Sequence, residues 1–104
     1  MAEQFLEASY LGFGTKKYSG TPNDVTLKTL CGGAIDGDVS GFDIYVISAA
    51  ATLYFENDGS TADADTMPVE VPGLMARGRN QKSAFDRFRF FSTGACEIRI
   101  MLWG

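Results

Sequence analysis

The chain has 104 residues, is 45% hydrophobic and 12% aromatic, and carries a formal charge of −4. That length supports one domain with its own core, and the apolar content excludes a disordered chain. The acidity argues against a general nucleic-acid binder, which needs a basic field.

Residues 1–24 show no hydrophobic period. Phe5, Leu6, Tyr10, Leu11 and Phe13 are interleaved with Gly12, Gly14, Gly20 and Pro22. A short helix over 3–10 fits the composition, and the glycines would end it. The first ten residues lack a basic n-region, so they do not read as a signal peptide. No apolar run approaches the ~20 residues of a membrane span. The expectation is a soluble protein made in a cytoplasm, with no membrane partner. Residues 1–23 read as an extended N-terminal arm. Its aromatic anchors imply that it wraps its own domain or reaches a neighbouring subunit.

From residue 24 the pattern is β, and 24–104 is the predicted domain. "DVTLKTLC" reads as a strand over 24–31, with Val25, Leu27 and Thr29 on one face. A glycine-rich connection follows. "FDIYVISAAATLYFEN" is too long for one strand, so the small residues 48–51 mark a bend between strands at 42–47 and 52–56. "NDGST" is a turn signal. "MPVEV" is a short strand bracketed by Pro68 and Pro72, hence at an edge. "LMARGRNQKS" has no apolar period and reads as an exposed loop. "AFDRFRFFS" places Asp86, Phe88 and Phe90 on one face of a strand. "CEIRIMLW" places Ile98, Ile100 and Leu102 inward and Glu97, Arg99, Met101 and Trp103 outward. Arg87, Arg89 and Arg99 are expected to share a sheet face, with Glu97 as a partner. Frequent turns and no confident helix predict an all-β, single-domain antiparallel β-sandwich, jelly-roll-like, behind the arm.

Cys31 and Cys96 lie far apart and form no C-x-x-C motif, and the chain has no histidine. They read as free, buried, small hydrophobes. Without histidine no Ser-His-Asp or Cys-His nucleophile can be built. The phosphate-binding glycine motifs are also missing, so no cofactor is implied and the expected function is not enzymatic.

"DGDVSG" at 36–41 matches the first half of a calcium loop. Asp36, Asp38, Ser40 and Gly41 take positions 1, 3, 5 and 6. Position 12 falls on Ile47 rather than a bidentate glutamate. Asp36, Asp38 and Ser40, with Asp43, are therefore weak metal candidates, and a turn using Asp and Gly for backbone reasons is the plainer reading. A small calcium- or carbohydrate-binding module is the alternative function.

Charge is segregated. Arg77, Arg79, Lys82, Arg87 and Arg89 lie close together, while the segment from Asp36 to Asp65 is acidic. This suits docking between copies or onto a partner. Candidate interface residues are Phe5, Leu6, Tyr10 and Phe13 of the arm, Arg77, Arg79, Arg87 and Arg89, and the terminal Trp103, which is either covered by the arm or an interface anchor.

The second half, with "ATLYFENDGST", "MPVEVPG", a basic loop and a closing "FDRFRFFSTGACEIRIMLWG", resembles the small structural proteins of tailed bacteriophages. The resemblance covers about residues 44–104 and is architectural, so no functional residue is carried over from it. It implies a non-enzymatic virion protein of the head-decoration or neck and tail adaptor type. Its partners would be other virion proteins and copies of itself in a homo-oligomer, with no specific nucleic acid.

Overall fold

The computed structural model describes residues 11–104. Among the described residues, eight strands and two one-turn helices follow one another. They are β1 (Gly12–Gly20), β2 (Asn23–Thr26), α1 (Leu27–Leu30), β3 (Gly41–Ala49), β4 (Tyr54–Glu56), β5 (Met67–Pro68), β6 (Gly73–Gly78), α2 (Ala84–Arg87), β7 (Arg89–Phe91) and β8 (Cys96–Trp103). The predicted all-β sandwich is present as two four-stranded sheets, ordered β1-β8-β3-β6 and β2-β7-β4-β5. Every pairing is antiparallel. The pairs are nested: β1 with β8, β2 with β7, β3 with β6 and β4 with β5.

β8 follows its sequence pattern residue by residue. Cys96, Ile98, Ile100 and Leu102 are buried, while Glu97, Arg99, Met101 and Trp103 are at least partly exposed. β3 alternates likewise, with Phe42, Ile44 and Val46 buried. These seven β3 and β8 side chains meet Leu27, Leu30, Leu53, Phe85 and Phe90 in the core. Of the bend expected at 48–51, Ser48 and Ala49 still belong to β3 and only Ala50 and Ala51 lie between β3 and β4; Met67 and Pro68 of "MPVEV" form the edge strand β5.

Three segments of the predicted domain depart from expectation. "DVTLKTLC" is a strand only to Thr26. The Thr26 hydroxyl accepts the Thr29 N–H at 3.2 Å and starts a helical turn. Gly32 and Gly33, at φ 99° and 89°, close it, with the Gly33 N–H reaching the Lys28 carbonyl at 2.9 Å. Left-handed residues after a helix are cheap for glycine. The spacing that matters is Leu27 to Leu30, both buried. "LMARG" is not a loop but most of strand β6, which carries a bulge. Ile44 faces Ala76 and Tyr45 faces Leu74, so Met75 is the extra residue. "AFDRFRFFS" begins with helix α2 and only then becomes β7. Arg87, Arg89 and Arg99 thus sit on a helix and on two different sheets rather than one face.

Gly12–Gly20, read as arm, is an edge strand paired to β8 from Gly12↔Trp103 to Gly20↔Cys96. Residues 12–20 therefore belong to the sandwich, and Phe13 and Tyr18 pack against its core. Phe5, Leu6 and Tyr10 lie outside the described residues.

Cys31 and Cys96 are free and buried, as expected. Burial pushes the Cys31 thiol up to about 11 and the Cys96 thiol upward as well. Thiolate is the reactive form. Native protein at pH 8 should leave both thiols unlabelled by a thiol reagent over minutes, and denaturant should expose two. Rapid labelling of either native thiol contradicts this packing.

Candidate protein-docking face

The inward alternation of β3 and β8 forces an outward alternation. Asp43, Tyr45, Arg99, Met101 and Trp103 turn away from the core. Registers with the neighbouring strands align them in two rows. One row runs Thr15, Met101, Asp43, Arg77; the next runs Lys17, Arg99, Tyr45, Leu74. Tyr45 is 46% exposed, Leu74 50% and Met101 42%. Ile47, the bulged residue of β3, is exposed beside them. Thr15, Asp43, Tyr45, Leu74, Arg99 and Met101 line an open groove of about 270 Å³. A scattered exposed leucine needs no explanation, but large apolar side chains in adjacent positions on one sheet face make a candidate contact surface. Tyr, Met and Arg are also the residue types enriched where proteins meet.

The upper end of this face is pinned by Asp43. Its carboxylate accepts Arg77 Nε at 2.9 Å, Arg79 Nη1 at 3.2 Å and Trp103 Nε1 at 3.1 Å. The Arg79 guanidinium lies 5.2 Å from the Trp103 ring centroid. Burial pushes the Asp43 carboxyl up, but the hydrogen bonds from Arg79, Trp103 and Arg77 prevail and hold it below the usual range. Trp103 is half-buried in its own sheet end, between Gly12 and Gly41 in register. It is tied there by its own chain's Asp43 and Arg79.

The predicted basic cluster is dispersed by the fold. Arg77 and Arg79 share Asp43, Lys82 donates to the Gly37 carbonyl, and Arg87 donates to the Asp58 carbonyl at 2.9 Å. Arg89 pairs with Asp24 at 2.8 Å. Of these, Arg77 keeps 61% of its side chain exposed despite its partner, and it stands at the edge of this outer face. Arg99 and Lys17 make no ion pair among the described residues.

The calcium-like residues are not brought together. Asp36 Oδ1 accepts the Asp38 N–H at 2.9 Å, and its carbonyl accepts the Val39 N–H at 3.1 Å. This is an Asx turn, the backbone use of Asp. Ser40 pairs through its backbone with Trp103 and Gln81. Asp43 points its oxygens at two arginines and an indole, on the outer face of β3. Among the described residues, no group of three or more His, Cys, Asp or Glu side chains is placed to hold a metal ion.

The sequence reading missed Tyr45 and Leu74. Tyr45 was within reach, since Phe42, Ile44 and Val46 are a period-two set that leaves Asp43, Tyr45 and Ile47 outside. Leu74 was not, because its segment shows no alternation. Among the described residues no helix is long and apolar enough to cross a membrane. No protein-family model matches the chain, and no curated protein and no solved structure matches it.

Proposed function

We propose that this chain is a non-enzymatic virion structural subunit of the tailed-phage type, which assembles with copies of itself and with other virion proteins. The observation that carries the reading is the exposed face of Tyr45, Leu74 and Met101, set on a rigid sheet and flanked by Arg77, Arg99 and Lys17. A rigid face presents its contacts with little ordering cost. The strand connectivity supports the same reading. Pairs 1·8, 2·7, 3·6 and 4·5 are what a long hairpin of eight strands makes when it rolls into two sheets. We read this order as jelly-roll-like, a frame used by viral capsid and lectin domains. The step from frame to role is by analogy.

Leu74→Glu places a charge where association would bury an apolar side chain. Light scattering at concentrations up to about 100 µM detects any association stronger than about −5.5 kcal/mol. The wild type is expected to be oligomeric there, and Leu74→Glu monomeric with unchanged circular dichroism. A strictly monomeric wild type, or a variant that associates as well as the wild type, overturns the assembly reading. Immunogold labelling of purified phage particles bearing this gene product tests the virion part. Label at repeating positions is expected, and unlabelled particles contradict it.

A further inference from the structure

The side of the sandwich where β5 and β6 are the outer strands carries three open grooves in succession. The first, of about 520 Å³, has Glu56 and Asp65 on its walls over Phe55, Met67 and Pro68. The second, of about 270 Å³, shares Phe55, Met67 and Pro68 and continues past Glu70 to Leu74. The third is the groove of Leu74, Tyr45, Arg99 and Met101 already described. Leu74 is the wall common to the last two. The apolar lining is therefore one continuous track, and it holds Met67 and Leu74, which are 67% and 50% exposed.

Charge along this track is graded. Glu56, Asp65 and Glu70 mark one end. Arg99, with Lys17 opposite it in register, marks the other. Asp43, the carboxylate at the basic end, is taken by Arg77, Arg79 and Trp103. Among the described residues, none of Glu56, Asp65, Glu70, Lys17 and Arg99 makes an ion pair. A surface that is acidic at one end, apolar in the middle and basic at the other is complementary to itself after half a turn. A foreign partner would need the same gradient in reverse, whereas a second copy supplies it by rotation alone.

Resting on the assembly reading above, we infer that the chain forms a two-fold dimer across this track. The axis passes beside Leu74, so Leu74 and Met67 of both copies fill the apolar centre. Asp65 and Glu70 of each copy face Arg99 and Lys17 of the other. The contact is isologous, so every charge pairing occurs twice.

Two charge-reversed variants of the full chain test this pairing. Lys17→Glu with Arg99→Glu makes both ends acidic, and Asp65→Lys with Glu70→Lys makes both basic. None of the four side chains is buried, and both variants should keep the wild-type circular dichroism. Each should self-associate at least about tenfold more weakly than wild type, because like charges then oppose each other at both ends. Mixed in equal amounts, the two should form a one-to-one heterodimer. A chain carrying all four substitutions should recover self-association, since both pairings are then restored in reverse. Light scattering should give the wild type a mass of two chains, and its association should weaken between about 0.01 and 1 M sodium chloride as the exposed pairs are screened. If both charge variants associate like wild type while Leu74→Glu does not, or if mixing restores nothing, the two-fold inference fails and the assembly reading stands. A wild type of three or more copies, or one indifferent to salt, also overturns the inference alone. A strictly monomeric wild type overturns both.

Discussion

Phe42→Ala is expected to destabilise the domain by about 3–5 kcal/mol, the usual cost of emptying a buried phenylalanine site. Phe42 is 1% exposed and sits on β3 at the centre of the sandwich. Its ring lies 5.4 Å from Phe85 and 5.5 Å from Phe88, both edge-on, and Phe88 in turn meets Phe55 at 4.9 Å. Edge-to-face pairs add roughly 0.5–1.5 kcal/mol beyond buried area, and Phe42 takes part in two. The surroundings cannot collapse into the space easily, because Phe85 is on α2 and Phe88 enters β7, so both are held by backbone pairing. The site is also filled from β6. A Cβ on Gly78 would lie 2.7 Å from Phe42 Cζ, so glycine there is a packing requirement. For a domain near 100 residues, each kcal/mol shifts Tm by roughly 4–8 °C. A fall of at least about 12 °C is therefore expected in a thermal melt. A loss below about 1 kcal/mol would place Phe42 outside the usual range for a core phenylalanine and contradict this core.

Asp24→Ala is expected to cost about 2–4 kcal/mol, from a partly buried hydrogen-bond network that is lost and a left-handed backbone that alanine adopts at a greater cost. Asp24 has φ 55°, a left-handed conformation that Asp tolerates better than alanine does. Its Oδ1 accepts Arg89 Nε at 2.8 Å and the Ala62 N–H at 2.9 Å, and its Oδ2 accepts Arg89 Nη2 at 3.1 Å. One side chain therefore joins β2, β7 and the loop between β4 and β5. Ala62 is 1% exposed, so its N–H would lose its partner away from water. Asp24→Asn keeps an acceptor for Ala62 and should lose less.

The same carboxylate links stability to pH. Hydrogen bonds from Arg89 hold the Asp24 carboxyl below its usual range. A depressed folded value means the group stabilises the fold fully above the unfolded-chain value near 3.9, and the contribution disappears as pH falls through the lower folded value. Asp43 behaves in the same sense. Urea denaturation between pH 5 and 2 should show a stability loss that is shallower in Asp24→Ala than in wild type. Parallel curves would remove Asp24 from the linkage.

Much of this molecule is legible in single stretches of sequence. The alternation of "CEIRIMLW" predicts the burial of β8 at every position, and the small residues after "FDIYVI" mark the break between β3 and β4. Pro68 keeps "MPVEV" at an edge because it lacks an N–H to donate into a second ladder. The turn character of "DGDVSG" follows from Asp and Gly backbone preferences. These features depend on neighbours a few residues away, which a linear pattern records.

The remaining features depend on partners far along the chain. "LMARG" becomes a strand because β3 offers it a ladder, although a bulge at Met75 erases its period. "LKTL" becomes a helical turn because Thr26 caps it and two glycines close it, burying Leu27 and Leu30 together. The glycine-broken segment 12–20 becomes β1 only against β8. The exposed outer face of the first sheet depends on register most of all. Tyr45 and Leu74 are neighbours because β3 pairs with β6, and Met101 joins them because β8 lies on the other side. An amino-acid sequence states which side chains alternate, but the inter-strand hydrogen bonds decide which outward residues stand side by side.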